Sequence, residues 1–351
     1  MFALRYTSTK GGLEVNLTLE ENVDKLVIPS DGPAAVVEVL YSSLNPQDYK
    51  LPELPFLGSW NIPPPATPGT DYVGRIYETN MPDLKKGDMV FGTLDLPTKY
   101  GTLAQYVLVK GKDGISKVPR GFEDAGIDIR YLVCLVTAGL TALQSLKPQP
   151  VGAHVFINGG SGGTGTFCIQ IAKRINGVAK IVTSCSGKNV PLVKNLGADN
   201  VIDYSQGDVV EKLEALTKDA GRKFGLIVDN FGNSPDLYWH SHKFLDKDGH
   251  FIQIGAPSVD LRFAWMIIKM SLWSRLPWTN RVRFSALFVE TNSEQREALG
   301  KWVTVMERKL EPVIGGSFRL GDASQAFAML KSEKAQGKRV INVKDYILEA
   351  T

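Results

Sequence analysis

The sequence has few cysteines and few histidines, and this scarcity limits the metal sites that it can build. Its 351 residues include three cysteines, Cys134, Cys168 and Cys185, and four histidines. Because the cysteines are far apart and odd in number, they indicate a reducing compartment, with neither a disulfide framework nor a thiolate cluster. His240 and His242 form the one close histidine pair, but side chains two positions apart on a helix point in different directions. We therefore predict no metal site.

Long apolar runs and an excess of charge of one sign are also absent. The start, Met1 to Tyr6, leads into polar residues, so we expect no secretory signal and a cytoplasmic protein. The formal net charge is +3 and basic residues are spread along the chain, which argues against nucleic-acid binding. The apolar segment Leu261 to Trp278 contains Lys269 and Arg275 and is too short for a membrane span, which needs about 20 apolar residues. The length suits one large or two medium globular domains.

A glycine cluster lies between an apolar run and a segment of helical periodicity. After the run Val155 to Asn158, Gly160, Gly162 and Gly165 match the pattern G-x-G-x-x-G, and a second strand-like run follows at 179–184. Such glycines permit a sharp turn, a close approach to a pyrophosphate, and tight packing of helix on strand. Amides at the helix start then face the phosphates. No Gly-Lys-Ser/Thr follows, which excludes a Walker P-loop. The cofactor-binding residues predicted here are Gly160, Ser161, Gly162, Gly163 and Thr164.

The pattern of predicted elements changes along the chain. Residues 1 to about 120 contain short apolar runs separated by Gly, Pro and Asp, which indicates a β-rich domain, and the proline-rich segment Leu51 to Gly69 is predicted to be a loop. From Ala153 onward strand and helix signals alternate, which predicts a parallel doubly wound sheet. The strands of that sheet are predicted at Ala153–Asn158, Ala179–Ser184, Asn200–Asp203, Phe224–Asp229 and His250–Gly255.

Several motifs occur in one order along nearly the whole chain. They are Asn45-Pro46-Gln47-Asp48-Tyr49-Lys50, Pro68–Gly74, Gly87–Gly92, Gly101–Tyr106, Gly139–Ala142, the glycine cluster, Leu196–Tyr204 and Gly337–Val340. This set resembles the medium-chain dehydrogenase/reductase superfamily, and within it the zinc-free quinone oxidoreductase and enoyl reductase branch. The resemblance implies an α/β fold with two domains. A GroES-like β-rich catalytic domain would comprise residues 1–120 and 291–351, and a doubly wound parallel-sheet Rossmann domain that binds NADPH would comprise residues 121–290. The active site would lie in the cleft between them.

The chain departs from the zinc-dependent members that it resembles. Their first zinc ligand is a cysteine near the position of Asn45 to Asp48, where this chain has none. Their Gly-His-Glu is replaced here by Gly69-Thr70-Asp71, so no zinc is expected. The resemblance implies that Asn45 and Thr141 lie near the nicotinamide, with Thr141 holding its carboxamide. Tyr49 or Lys50 would donate a hydrogen bond or a proton to the substrate. The catalytic residues predicted are therefore Tyr49, Lys50, Asn45 and Thr141.

The choice of cofactor depends on the end of the second predicted strand. NAD-specific sites usually place an acid there, about 20 residues after the glycines, but this segment carries Ser186 and Lys188. Serine can hydrogen-bond a 2′-phosphate and lysine can neutralise it. By resemblance, Tyr204 matches a tyrosine that NADPH-dependent members place against the same phosphate. The pattern favours NADPH, and further cofactor contacts are expected at Asn230, Gly255 and Lys338.

The function that follows is hydride transfer from NADPH to a conjugated C=C bond or a quinone. Without a Lewis-acid metal the site must stabilise a developing enolate with hydrogen-bond donors, which suits a conjugated acceptor. Two alternatives stay open: a non-catalytic NADPH-binding protein of the same fold, and a trans-acting enoyl reductase of a polyketide pathway. The expected partner is a small apolar conjugated substrate, and the protein is expected to be a monomer or homodimer.

Leu261 to Trp278 is predicted to form a wall of the substrate cavity or a surface for lipid or a partner, with an ordinary buried helix as the alternative.

Overall fold

The computed structural model describes residues 1–122, 124–146, 152–258, 260–276, 282–304, 307–332 and 336–346. The strands, in chain order, are β1 Ala3–Tyr6, β2 Leu17–Glu20, β3 Ala34–Leu44, β4 Asp71–Thr79, β5 Met89–Thr93, β6 Tyr106–Lys110, β7 Ile115–Lys117, β8 His154–Asn158, β9 Lys180–Cys185, β10 Asn200–Asp203, β11 Phe224–Asp229, β12 Leu245–Gln253, β13 Arg283–Ala286, β14 Ile314–Arg319 and β15 Lys338–Asn342. The α-helices are α1 Gln47–Lys50, α2 Leu57–Asn61, α3 Arg130–Ser145, α4 Gly163–Arg174, α5 Val190–Leu196, α6 Val209–Ala220, α7 Pro235–Trp239, α8 Leu261–Trp273, α9 Ser293–Val303 and α10 Ala323–Lys331.

The chain divides into two compact units. One comprises Met1–Leu140 with Glu290–Thr351, and the other comprises Thr141–Val289. Each unit contains a large sheet and its own hydrophobic core. The first division lies within α3, and the domain boundaries predicted at 120 and 290 remain a prediction. None of the described helices is long and apolar enough to cross a membrane.

The first unit is built on a seven-stranded sheet around the long strand β3. Six of its strands follow the order β14-β15-β3-β4-β5-β7, and β6 also pairs with β3. Nearly all of β3 is buried, as expected for a central strand rich in valine. At its end, Leu44 pairs with Arg339 of β15 and Ser43 pairs with Asp71 of β4. This register brings the starts of β4 and β15 to the same end of β3.

The second unit is built on a parallel sheet of six strands. Their order is β10-β9-β8-β11-β12-β13, and each neighbouring pair is parallel. Numbered within the unit this is 3-2-1-4-5-6, so the strand order reverses between β8 and β11, where ligands bind in doubly wound sheets. Asn158 and Asp229, the last residues of these two strands, pair with each other. The predicted doubly wound parallel sheet is confirmed.

Two sequence-based boundaries differ from the structure. The loop predicted over Leu51 to Gly69 contains the short helix α2, which forms where prolines are absent between Phe56 and Ile62. The strand predicted from His250 begins at Leu245 instead. Its first half is charged and mostly exposed, so that half carries no apolar signal.

Candidate functional site

The glycine cluster forms a tight turn between β8 and α4. Gly160 N donates to Ser184 O of β9 at 2.9 Å, and a Cβ on Gly160 would lie 1.9 Å from Thr183 Oγ1. A Cβ on Gly165 would lie 2.2 Å from the carbonyl oxygen of Gly159. These two positions therefore exclude side chains, because strand and helix pack against them. They account for the close helix–strand packing that the motif predicts.

The start of α4 has the character of an anion-binding site. Its N-cap residue, Gly162, provides no side-chain cap, and a Cβ there would meet nothing nearer than the oxygen of Gly159 at 3.5 Å. The first-turn amides, from Gly163 onward, have no acceptor within the helix. Beside the turn, Ser161 is buried and its Oγ accepts a hydrogen bond from Asn189 Nδ2 at 3.0 Å. Open space, unpartnered helix-start amides and the helix dipole together fit a dinucleotide pyrophosphate.

The structure brings Ser186 and Tyr204 to neighbouring strand ends. Cys185 of β9 pairs with Asp203 of β10, and Ser186 and Tyr204 are the residues that follow. Tyr204 is 44% exposed, and Lys188 is exposed and makes no hydrogen bond or ion pair with the residues that the structure describes. Ser186 and Tyr204 thus follow the carboxyl ends of two neighbouring strands, and Lys188 lies two residues beyond Ser186.

Asp203, the last residue of β10, places a carboxylate directly before Tyr204. Its Oδ1 accepts hydrogen bonds from Ser205 Oγ at 2.7 Å and Ser205 N at 2.9 Å. These hydrogen bonds hold the pKa of Asp203 below its usual range, and the amide of Gly187 adds to the effect. The carboxylate therefore remains ionised and is engaged by its own turn.

A hydrogen-bonded network occupies the point where the strand order reverses. Asp229 is buried, and its Oδ1 accepts from Asn158 Nδ2 at 2.8 Å and from Gly232 N at 3.0 Å. Burial raises the pKa of Asp229, and these hydrogen bonds oppose the rise. Asn230 Nδ2 donates to Asn158 O at 3.0 Å, and a Cβ on Gly255 would lie 2.6 Å from the carbonyl carbon of Asn230. Two predicted cofactor residues, Asn230 and Gly255, therefore lie in contact at the switch point.

In the first unit, three polar residues meet at the end of β3. Lys338 Nζ donates to Asn45 Oδ1 at 2.5 Å and to Leu44 O at 3.0 Å, and it lies 3.7 Å from Asp71 Oδ2. Asn45 Nδ2 donates to the same Asp71 oxygen at 2.8 Å. Both polar ends of the Asn45 amide are thus held by charged neighbours. All three side chains are buried, so water does not screen these contacts.

Asp71 is surrounded by donors. Besides Asn45 and Lys338, its carboxylate accepts from Thr137 Oγ1 at 2.5 Å, Thr137 N at 3.4 Å and Ser43 Oγ at 3.2 Å. Asp71 is therefore the common hydrogen-bond acceptor that links Asn45, Thr137 and Ser43 at the end of β3.

Asp48 is the second carboxylate of the cluster and has a different environment. Its Oδ2 accepts from Asn45 N at 2.7 Å, and its Oδ1 accepts from Thr70 Oγ1 at 2.9 Å. Burial, with repulsion from Asp71, raises the pKa of Asp48 to about 7, against the opposing effects of these donors and of Lys338. Close to neutral pH, Asp48 is therefore balanced between its protonated and its ionised form.

The predicted donors Tyr49 and Lys50 lie on α1, next to Asp48. Tyr49 is half-buried and packs against the hydrophobic core of the first unit. The ammonium of Lys50 lies 5.8 Å from the centroid of the Tyr49 ring, and that of Lys331 lies 5.0 Å from it. Thr141, the fourth predicted catalytic residue, is a buried residue of α3 in the second unit.

Comparisons with known proteins agree with this architecture. Residues 31–120 match the family model described as alcohol dehydrogenase GroES-like domain, and residues 196–341 match that described as zinc-binding dehydrogenase. The trans-enoyl reductase pgmF of Aspergillus terreus is 35% identical over 360 residues, which cover 98% of this chain and 96% of that protein. This chain belongs to the medium-chain dehydrogenase/reductase superfamily, in its quinone oxidoreductase and enoyl reductase branch.

Solved structures of this superfamily share the fold over the full chain. The quinone oxidoreductase from Coxiella burnetii has a TM-score of 0.79 and 26% identity, and the match covers 98% of this chain and 99% of that one. The Escherichia coli quinone oxidoreductase complexed with NADPH has a TM-score of 0.75 at 18% identity, covering 98% and 100%, which shows the fold alone. The predicted fold class, a GroES-like domain with a Rossmann domain, is confirmed.

Within the part of the chain that the structure describes, no group of three or more His, Cys, Asp or Glu residues is placed to hold a metal ion. Cys134, near the Asp71 cluster in the first unit, is fully buried, and burial raises the pKa of its thiol to about 12. A thiol of that kind is a poor metal ligand, because metals bind the thiolate.

Three residues that organise the site, Asp48, Asp71 and Thr137, are not predicted as site residues from the sequence. Asp48 and Asp71 occur within the family motifs, and Thr137 lies outside them. A polar signal was available for each: an aspartate next to buried strand or helix residues, and a threonine in an otherwise apolar stretch of α3. Their partners are set by the register of β3, β4 and β15, which the sequence does not reveal.

Proposed function

We propose that this protein is an NADPH-dependent oxidoreductase that reduces a conjugated C=C bond of an enone or enoyl compound, or a quinone, without zinc. The observation that carries the proposal is the uncapped, glycine-lined start of α4 at the switch point of the parallel sheet. It is supported by the identity of 35%, over nearly the full length, to a protein named as a trans-enoyl reductase. NADPH, when bound, supplies the hydride.

The preference for NADPH over NADH rests on three side chains. Lys188 is exposed and has no counter-ion among the described residues, so its ammonium is available to a 2′-phosphate. Ser186 and Tyr204, at neighbouring strand ends, would add hydrogen bonds. Asp203 lies at the same strand ends and is ionised, so the cation of Lys188 would offset its repulsion of a phosphate. Gly160 to Thr164 would hold the pyrophosphate, and Asn230, Gly255 and Lys338 are proposed as further cofactor contacts.

The reducing centre is proposed to use hydrogen-bond donors of this chain. Lys50 or Tyr49 would donate to the carbonyl oxygen of the acceptor, where negative charge develops, and one of them would deliver a proton. Asn45 would line the centre, with its amide orientation fixed by Lys338 and Asp71. Thr141 would hold the carboxamide of the nicotinamide. A conjugated acceptor suits this arrangement because its charge is spread over several atoms.

The decisive experiment is NADPH oxidation by the purified protein with a panel of enones, enoyl thioesters and quinones, each with and without a metal chelator. The proposal expects turnover with at least one acceptor, a rate unchanged by the chelator, and a lower KM for NADPH than for NADH. Tight NADPH binding without turnover on any acceptor would instead support the alternative of a non-catalytic binding protein.

A second candidate function is that of a trans-acting enoyl reductase. Its substrate would be an enoyl chain that is attached to a carrier protein as a thioester. The specific observation in its favour is the similarity to the trans-enoyl reductase pgmF, which extends over 98% of this chain. The test compares one enoyl chain presented free, as a small thioester, and on a carrier protein. A kcat/KM at least tenfold higher on the carrier would favour this candidate, and equal values would favour a free substrate.

A further inference from the structure

The helix that carries Tyr49 and Lys50 cannot maintain its own conformation. Helix α1 is four residues long, and its N-cap, Pro46, provides no side-chain hydrogen bond. A single helical turn is unfavourable in isolation, because ordering several residues gains only one hydrogen bond. The geometry of Tyr49 and Lys50 must therefore be set by contacts with other segments.

One such contact comes from the buried side of α1. Asp48 is 3% exposed and binds Asn45 N and the hydroxyl of Thr70. This anchors the start of the turn to the sheet. The Tyr49 ring, which is half-buried, is positioned by further contacts, which include its packing against the hydrophobic core of the first unit.

Lys331 provides a contact to the ring of Tyr49. It is the last residue of α10, and its ammonium lies 5.0 Å from the ring centroid. The face of an aromatic ring attracts a cation at this distance. Lys331 is held there by two carboxylates, because Nζ donates to Glu53 Oε1 at 2.6 Å and also to Glu14.

The two carboxylates tie distant parts of the chain to Lys331. Glu53 Oε1 also accepts a hydrogen bond from Leu13 N at 2.6 Å, so the amino-terminal segment, the segment after α1 and the end of α10 meet at one ammonium. The side chains of Lys331, Glu14 and Glu53 are 20%, 21% and 24% exposed. Fully exposed ion pairs contribute little, but these three side chains are mostly covered and form a small network.

We propose that Lys331 is a positioning residue that fixes the Tyr49 ring, and with it the end of α1, for the reduction. The inference rests on the proposed function, in which Tyr49 or Lys50 donates to the substrate. Glu14 and Glu53 orient the ammonium of Lys331, and Lys331 orients Tyr49. None of the three needs to touch the substrate.

The first experiment does not depend on activity. Fluorotyrosine is incorporated, and the ¹⁹F resonance of Tyr49 in the cofactor-free protein is assigned by its loss in Tyr49→Phe. Lys331→Met is expected to shift or broaden this resonance selectively, and Glu53→Gln is expected to do so more weakly. The matched control is Lys243→Met, which breaks an ion pair with Glu214 at 2.7 Å in the other unit. An unchanged Tyr49 resonance in Lys331→Met would overturn the proposal.

The second experiment measures kcat and KM on the best acceptor. Lys331→Met should lower kcat by about tenfold or more through misplacement of the donor, with the KM for NADPH unchanged, while Lys331→Arg should recover most of the rate. Equal losses in Lys331→Met and Lys331→Arg, or a kcat of Lys331→Met within twofold of the unmodified protein, would contradict the positioning role. If the unmodified protein reduces no acceptor, the proposed function fails, and the resonance of Tyr49 still decides whether Lys331 fixes the ring.

Discussion

Lys338 Nζ donates a hydrogen bond of 2.5 Å to Asn45 Oδ1, although the two residues are 293 positions apart in the chain. The contact exists because β15, near the end of the chain, pairs with β3, near its beginning. It places a buried ammonium beside Asp71 and the amide of Asn45. The carboxy-terminal segment thus contributes a charged group to the interior of the first unit, which is assembled from both ends of the chain.

Replacing Lys338 tests whether this ammonium is structural. Lys338→Met is expected to lower the free energy of unfolding by about 3 kcal/mol or more, because Asp71 would remain buried without its cation. Urea denaturation measures the change. Lys112→Ala, which removes an exposed pair with Asp83, is the control and should change stability by less than about 1 kcal/mol. If Lys338→Met is as stable as the control and loses NADPH affinity instead, Lys338 acts mainly as the cofactor contact that the sequence predicts.

The raised pKa of Asp48 predicts a pH dependence of stability. Because the folded-state pKa is about 7 and the unfolded-state value is near 4, the folded protein binds more protons between these values. The free energy of unfolding should therefore contain a term that falls as pH rises from about 4 to 7 and is constant above that. Asp48→Asn removes this term.

The measurement compares denaturant unfolding of Asp48→Asn and the unmodified protein at pH 5 and pH 8. The stability of Asp48→Asn relative to the unmodified protein should rise between these two pH values by an amount of order 1–3 kcal/mol. A relative stability that is the same at both values would mean that Asp48 is already ionised at pH 5 in the folded protein.

Two glycines of the dinucleotide turn should respond differently to alanine. A Cβ at Gly165 would lie 2.2 Å from a backbone oxygen, whereas one at Gly162 would have 3.5 Å of clearance and a backbone at φ −72° that alanine adopts freely. Gly165→Ala is therefore expected to cost about 1–3 kcal/mol of stability. Gly162→Ala should leave the melting temperature nearly unchanged and weaken NADPH binding at least tenfold, because its methyl group fills the space proposed for a phosphate. Equal behaviour of the two variants in calorimetry and binding titrations would argue against this assignment.

The cofactor preference is tested at Lys188. A charge-assisted contact to a phosphate contributes about 1.5–3 kcal/mol, so Lys188→Ala should raise the Kd for NADPH by about tenfold or more and leave the Kd for NADH almost unchanged. Lys194→Ala, on the exposed side of α5, is the control. Titration of cofactor fluorescence gives both constants, and an equal loss for the two cofactors would remove Lys188 from the 2′-phosphate site.

The parts of the fold that were predictable are those with local signals. The turn at Gly160 and the strands β8 to β11 follow from apolar runs and glycines within a few dozen residues. The contact of Lys338 with Asn45, and that of Lys331 with Tyr49, join residues of opposite chain ends. No periodicity encodes such pairs, because they depend on which strands pair and in which register. The roles of Asp48 and Asp71 likewise depend on burial, which only the three-dimensional arrangement determines.

The helix α8 differs from an ordinary buried helix in its outward face. Leu261, Trp265, Ile268 and Leu272 follow the spacing of one helix face and are 88%, 66%, 47% and 56% exposed, while Met270 is 1% exposed. The predicted segment extends to Trp278, which lies outside the described residues. Met270 is thus the buried residue of α8, and the prediction that the segment lines a substrate cavity stays a prediction for the exposed side.

The contrast between the buried Met270 and the exposed Trp265 predicts different outcomes for two substitutions in α8. Met270→Ala should destabilise the protein by about 2–5 kcal/mol, since it empties a buried site. Trp265→Ala should change stability by less than about 1 kcal/mol, because surface substitutions away from packed sites cost little.

If the exposed face contacts the acceptor, Trp265→Ala should also lower kcat/KM for long apolar enoyl substrates several-fold more than for short ones. Chain-length profiles of kcat/KM, measured beside urea denaturation, separate these effects. If Trp265→Ala is as stable as the unmodified protein and changes kcat/KM equally for all chain lengths, the exposed face of α8 does not contact the acyl chain.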